Sequence, residues 1–420
     1  MTSITTARPA ARANRSLVWG LAVTQTVGWG VLFYALPVVL VPMQDDVGWE
    51  RSTILGAFAL AILVSGLLAP AVGRRLDRNR PRLLMAGGST LATVMVLAWS
   101  QVGHPVVLYL VWAVIGVAKA AVLYDAAFPV IIKRCAPDHT RALLTVTLAA
   151  GLASFVFQPL TSWLTSQYGW RTALLVLAVI LGAVTIPIHW MALAPGEEPT
   201  KTPHRSVRSP RPPELREKRF WLLTGAFAAV TMTSFSAAVL LIAYLHDSGW
   251  TLSRAAIAGG TLGAMQVPGR IALGRVVGRI GNELLVPALL VVPAAGVLLL
   301  LVSAGNWLAW PAVCLLGIGQ GATILLRATM FVDLYGTERI GALNGASALP
   351  VTAVRALGPF GASVLVAQTA GYEITFLLLA GLSVAAAIAA GRALHRGCDV
   401  RAHSRRPPSL GITRDCRAGR

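Results

Sequence analysis

The chain has 420 residues, 55% of them hydrophobic and only 13% charged, with a mean hydropathy of +0.67. A soluble domain carries about a quarter charged residues and cannot hide this much apolar surface, so an ordinary globular protein is excluded and a membrane is indicated. The formal charge of +19 would fit nucleic acid if the basic residues formed one face, but they sit in short segments between apolar runs, which sets nucleic acid aside.

From the N-terminus, Arg8, Arg12 and Arg15 precede an apolar stretch too long for a signal-peptide core and without a small-residue cleavage site, so it reads as a retained first span. A span needs about 20 mostly apolar residues. Candidates are 17–42, 53–72, 83–100, 106–130, 142–165, 173–194, 220–245, 255–276, 284–303, 307–331, 340–368 and 374–391. These should be helices, because in lipid every backbone polar group must be satisfied within its own segment. Between the sixth and seventh lies "PGEEPTKTPHRSVRSPRPPELREK", rich in proline and without apolar period, which reads as a linker. The Arg-rich end reads as a disordered tail. The expected organisation is an N-tail over 1–16, a six-helix bundle over 17–194, a linker over 195–219, a second bundle over 220–395 and a basic tail over 396–420. The fold class expected is an all-α membrane protein with twelve transmembrane helices in two pseudo-symmetric bundles.

Lysine and arginine test that count, since cytoplasmic loops hold them in excess. With the N-terminus inside, the outside loops carry only Arg51, Arg171 and Arg254, and the spans carry Lys119, Arg270, Arg327 and Arg355. All the other Lys and Arg fall inside, so both termini are expected in the cytoplasm of a multi-pass protein of a bacterial inner membrane.

The halves repeat. "VGWERSTI" at 47 echoes "SGWTLSRAAI" at 248, and Gly48 and Trp49 return as Gly249 and Trp250. The basic loop "GRRLDRNRPR" at 73 returns as "GRVVGRIGNE" at 274, and Gly116 returns as Gly317. "GWRTALLVLA" at 169 resembles "GYEITFLLLA" at 371. The spacing holds through the loops, which chance likeness of apolar runs would not do. Both halves enter the membrane in one orientation, so they are parallel repeats.

Over about residues 15–395 the chain resembles the major facilitator superfamily. The family's loop signature is a Gly, three residues, Asp, a basic residue, and further basic residues after a second Gly. Gly73, Asp77, Arg78 and Arg82 fill it, with Arg80 in place of the second Gly. In the second half Gly274, Arg279 and Gly281 match, and Gly278 replaces the Asp. The resemblance implies alternating access, in which the halves rock about a central site. It also implies that Asp77 latches the inner gate on the start of helix eleven, around Ile340 and Gly341, with the second latch missing. A carboxylate at a helix N-terminus is worth about 0.3–1 kcal/mol. "GWGVLFYALPVVLVPMQDDVGWERSTI" and "LLRATMFVDLYGTERIGALNG" are similar in style to bacterial relatives of the monocarboxylate transporters. Those carry a Lys after the first-helix Pro and an Asp one turn before the eighth-helix Arg; here Val38 follows Pro37, and Gln266 precedes Arg270.

Charges at depth point to a site. A charge at the bilayer centre costs about 2.5–3.5 kcal/mol and usually faces a cavity. Lys119 and Arg355 fall midway along spans four and eleven, with Gln266, Gln320 and Trp29 at similar depth. Two midplane cations favour an anionic organic substrate; in the competing reading both only hold helices together. Asp125, Arg270 and Arg327 lie nearer the cytoplasm and are expected to form an inner charge cluster for coupling. On a regular helix Lys119 and Asp125 would stand about 120° apart and not pair. His189, beside Trp190, reads as an interfacial residue, and "GIGQGA" at 317 as close helix packing. No phosphate-cradling motif occurs, and the cysteines lack metal-ligand spacing. No cofactor, metal or enzymatic activity is expected. The expected partners are a small-molecule substrate, protons and the lipid bilayer, for a monomer. The leading expectation is a secondary transporter of small, carboxylate-like anions; the alternatives are a proton-driven exporter of drugs or metabolites and a non-transporting sensor of the same fold.

Overall fold

The computed structural model describes residues 7–77, 81–135, 139–193, 213–276, 279–303, 306–335 and 340–404. The linker segment 194–212, Arg78, Gly278 and the tail from 405 therefore lie outside the described residues. The elements are helices. α1 (Ala7–Trp29) passes through a π-helical turn, Gly30–Tyr34, into α2 (Ala35–Val47). There follow α3 (Arg51–Asp77), α4 (Pro81–Ser100), α5 (Pro105–Val122), α6 (Tyr124–Arg134), α7 (His139–Gly151) and α8 (Ala153–Ala192). After a short 3-10 turn come α9 (Lys218–Asp247), α10 (Leu252–Val276), α11 (Asn282–Ser303), α12 (Ala309–Tyr335), α13 (Ile340–Thr369) and α14 (Glu373–Ser404).

Among the described residues nine helical stretches are long and apolar enough to cross a membrane. The difference from the expected twelve has identifiable sources. Arg141–Ala192, at 52 residues, joins two expected spans. At about 1.5 Å per residue it is longer than two hydrocarbon cores of about 30 Å, and Gly169 (φ 79°) breaks it. Ala309–Ile324 is apolar but short. α10 forms where a span was expected, yet it carries Arg254, Gln266, Arg270 and Arg275 and is not among the nine. Leu67, Leu110, Val179 and Leu349 are 63% to 75% exposed on helix flanks, which suits a molecule whose flanks face lipid.

The repeat is visible in the packing. A Cβ on Gly116 of α5 would run into the Ala61 carbonyl and Val64 of α3. On Gly317 of α12 it would run into the Leu262 carbonyl and Met265 of α10, the same contacts 201 residues on. Gly48 (φ 69°) and Gly249 (φ 91°) end α2 and α9 in left-handed turns with open space around them. Backbone conformation, not crowding, therefore requires glycine there. The early and late helices meet where α3 packs on α13, α8 on α10 and α2 on α9. The α8–α10 seam is close because Gly259, Gly260 and Gly263 lie against Ser154, Phe155 and Gln158.

Candidate functional site

The centre is organised by two departures from regular helix. The first is a break between α5 and α6 at Leu123, which is extended (φ −85°, ψ −161°). A break in hydrocarbon strands backbone carbonyls, each costing several kcal/mol if left unpaired. Here the Leu123 N–H still donates to the Lys119 carbonyl (3.0 Å). Fully buried Gln25 of α1 reaches across to donate to the Val122 carbonyl at 2.6 Å. The break removes the angular relation between Lys119 and Asp125 that a regular helix would impose. Asp125 becomes an exposed residue in the first turn of α6, favourably placed for a carboxylate, and its charge interacts with that of Arg355.

The second departure is the π-turn at Gly30–Tyr34, a feature frequent at functional sites. Gly30 is needed because a Cβ there would strike the Phe157 ring. The turn brings Phe33 to the centre, where its ring lies 5.2 Å from Phe58 and 5.4 Å from Phe235. Lys119 is 4% exposed, its Nζ sits 5.1 Å from the Phe33 ring and 5.2 Å from that of Phe58, and it has no hydrogen-bond partner. Arg355 of α13 lies over Phe235 at 5.3 Å with its Nε buried and unpartnered. The two charges repel one another. Aromatic faces offset only about 2 kcal/mol of such a charge, so the centre retains an unmet demand for negative charge.

The amides stand beside it. Gln266 Nε2 is 3.5 Å from Gln320 Oε1, and Arg270 Nη2 is 3.5 Å from Gln266 Oε1, both at the outer limit for a hydrogen bond. Trp29 packs on Phe33 (5.4 Å) and Tyr124 (5.0 Å), with its indole N–H buried and unpartnered. A cavity of ≈ 30 Å³, room for about two waters, is lined by Tyr34, Gln158, Phe235, Gln266 and Gln320 among others. Among the described residues Asp125, Arg270 and Arg327 form no ion pair with one another. Asp125 and Arg327 interact electrostatically with Arg355, and Arg270 touches Gln266. Val38 is fully buried in an apolar cluster with α9, α10 and α14.

Phe33, Tyr34, Phe235 and Gln158 escaped sequence reasoning, because aromatic and amide residues in apolar runs carry no signal until their neighbours are known. His189 corrects a second expectation. It is 1% exposed rather than interfacial, with Ser89 Oγ 2.8 Å from Nδ1 and Thr24 Oγ1 3.1 Å from Nε2. Thr24 itself donates to the Leu21 carbonyl, which ties the His189 ring to the backbone of α1.

A latch closes the end of the molecule that carries Gly48 and Gly249. Arg51 Nη1 and Nη2 grip the Asp247 carboxylate at 2.6 and 2.9 Å, Nε donates to Gln44 at 2.7 Å, and Nη1 also reaches the Tyr372 hydroxyl. Tyr372 donates to Asp247 at 2.7 Å. Burial raises the Tyr372 phenol above its ordinary range, which keeps that proton in place. The repeat held a signal for this latch. In the first half Asp46 accepts from Trp170 (3.1 Å) and Arg171 (3.3 Å). The equivalents in the second half are Asp247, Tyr372 and Glu373. Glu373 cannot serve as a cation, and Arg51 from the other half takes the vacant role. At the opposite end Gly73 and Gly274 meet nothing within 4 Å, and Arg279 is exposed. α3 ends at Asp77 and α13 begins at Ile340; the Asp77 side chain lies outside what is described.

The profile of the Major Facilitator Superfamily matches residues 18–359. The chain belongs to this superfamily. It is a membrane-embedded, multi-pass member of that superfamily, and the relatives it matches are transporters. It is similar to monocarboxylate transporter 13 of Bos taurus, 26% identical over 59% of this chain and 56% of that one. It is also similar to the oxalate:formate antiporter of Oxalobacter formigenes, 29% identical over 51% of each chain. The matches thus span a little over half the length of these relatives. Among solved structures the fold is shared with a bacterial homolog of the human lysosomal transporter Spinster in an inward-facing, unoccupied conformation. That structure has a TM-score of 0.73 at 14% identity, over 92% of this chain and 98% of that one. The nucleoside transporter NupG gives a TM-score of 0.73 at 13% identity, over 91% and 99%.

Proposed function

We propose that this superfamily member carries small organic anions, carboxylates foremost, by alternating access across a bacterial inner membrane, coupled to protons. One observation carries the reading. Lys119 Nζ, from the early helices, and Arg355 Nε, from the late ones, are each buried and unpartnered, their charges interact, and among the described residues no ion pair joins either to a carboxylate. Leaving both unpaired is costly, and a substrate anion between them would satisfy both while bridging the halves. Relatives named for monocarboxylates and for oxalate and formate support it. Under this reading the chain has twelve spans in bundles over 17–194 and 220–395, with both termini cytoplasmic. The Arg51–Asp247 latch then faces outside, so the state is closed outward. Gln266, Gln320 and Trp29 complete the substrate site, while Asp125 carries the proton inward, with Arg270 and Arg327 as further coupling residues. Asp77, with Gly73, Arg78, Gly274 and Arg279 in its loop and the mirror loop, holds the inner gate.

The test is uptake and counterflow of labelled carboxylates in proteoliposomes. Lys119→Gln and Arg355→Gln should each weaken the substrate by about 2–3 kcal/mol, the loss of a desolvated, charge-assisted bond. Asp77→Asn should preserve abundance and cut transport. Wild-type affinity in both cation variants would remove the centre as an anion site.

A further inference from the structure

The central space is divided. Beside the cavity of ≈ 30 Å³ lies a second of ≈ 20 Å³, and the two share Phe235 and Gln320 as a common wall. Their linings differ in chemistry. The smaller is lined by Arg355 together with Thr231, Ser234 and Thr323. Thr323 is satisfied by the Gly319 carbonyl at 2.7 Å, whereas Ser234 Oγ is buried and unpartnered. The larger is lined by three amides, Gln158, Gln266 and Gln320, with Tyr34, and among the described residues by no carboxylate, Lys or Arg. Arg270 touches Gln266 from outside that lining. Gln158 is the informative member. It is 3% exposed, and its Oε1 is buried without a partner. It points at Gly259 of α10, where a Cβ would press on that oxygen, so the glycine keeps its place free.

We infer that the site takes a monocarboxylate with an uncharged hydrogen-bond donor at its far end, the carboxylate going to Arg355 and the donor to Gln158 across the Phe235 wall. This rests on the carboxylate reading above and narrows it. A buried acceptor without a donor favours a ligand that brings one and penalises an isostere that does not. A second carboxylate would arrive at a lining of neutral amides, with Lys119 behind Phe33 and Arg270 behind Gln266 rather than in it, and would set its charge against the bare Gln158 oxygen. The substrate class is therefore hydroxy- or amide-bearing monocarboxylates rather than dicarboxylates. The cavities are small in this conformation, so the ligand enters as the halves part and is read as they close.

The experiment measures calorimetric affinities of the full-length purified protein for valerate, its terminal-hydroxyl analogue and glutarate, which differ only at the far end. The hydroxyl analogue should bind about tenfold tighter than valerate and at least about tenfold tighter than glutarate. Gln158→Met should bring the hydroxyl-to-valerate ratio near one, while Arg355→Gln weakens all three. Glutarate binding best to the wild type overturns the inference, and needs no variant to fold. So does a hydroxyl preference that survives in Gln158→Met. Those results leave the carboxylate reading standing if Arg355→Gln still weakens the acids. Failure of Arg355→Gln to weaken any of them overturns the inference, and an equally silent Lys119→Gln overturns the carboxylate reading with it.

Discussion

Gln25 shows how one side chain makes a site available. Its amide closes the Val122 carbonyl that the α5–α6 break exposes, and the break in turn frees Asp125 from the helical phase of Lys119. Gln25→Leu should lower stability by about 1–3 kcal/mol, the cost of a stranded buried polar group. It should appear as a lower Tm of the purified protein, and an unchanged Tm would mean the carbonyl finds another donor. At this scale the sequence was legible where charge broke an apolar run, as at Lys119 and Arg355. It was silent at Phe33, Phe235 and Gln158, whose meaning lies in what they face. His189 shows the same limit, since a histidine beside a tryptophan near a span end looks interfacial until Ser89 and Thr24 are brought to it from other helices.

Among elements, the repeat makes a paired prediction. Gly116 and Gly317 each approach a backbone carbonyl, of Ala61 and Leu262, and backbone cannot swing aside as a side chain can. Gly116→Val and Gly317→Val should each destabilise by about 1–3 kcal/mol or more, with similar size because the surroundings are equivalent. Thermal unfolding of both variants checks this; a large effect in one half alone would mean the packing is not equivalent. Helical class was readable from apolar length, because every long apolar run needs its backbone bonds met within itself. The π-turn at Gly30–Tyr34 and the break at Leu123 were not, since neither holds a proline and each is maintained by contacts from another helix, Phe157 packing on Gly30 and Gln25 bonding to Val122.

For the whole molecule, the proposed alternating access would make the latch a bias on the population of two states. A partly exposed ion pair is worth about 1 kcal/mol, enough to shift a two-state balance about fivefold rather than to lock it. Arg51→Ala and Asp247→Asn should therefore raise the rate at which an impermeant thiol reagent, added from outside, labels a cysteine at Ala238 in the cavity wall. The expected rise is about fivefold, in a background lacking the native cysteines. An unchanged rate would show that the Arg51–Asp247 pair does not bias opening.

The sequence by itself determined the membrane residence, the helical class, the doubled architecture and the family, because these follow from hydropathy, from the placement of basic residues and from a register that survives across both halves. Only the tertiary structure decided which residues meet. The box of Phe33 and Phe58 around Lys119, the divided cavity and the latch of Arg51 on Asp247 join residues from distant helices. A linear pattern records the period of a helix and the depth of a charge. It does not record the rotation that a π-turn or a break imposes, and here those local irregularities choose the side chains that face the centre.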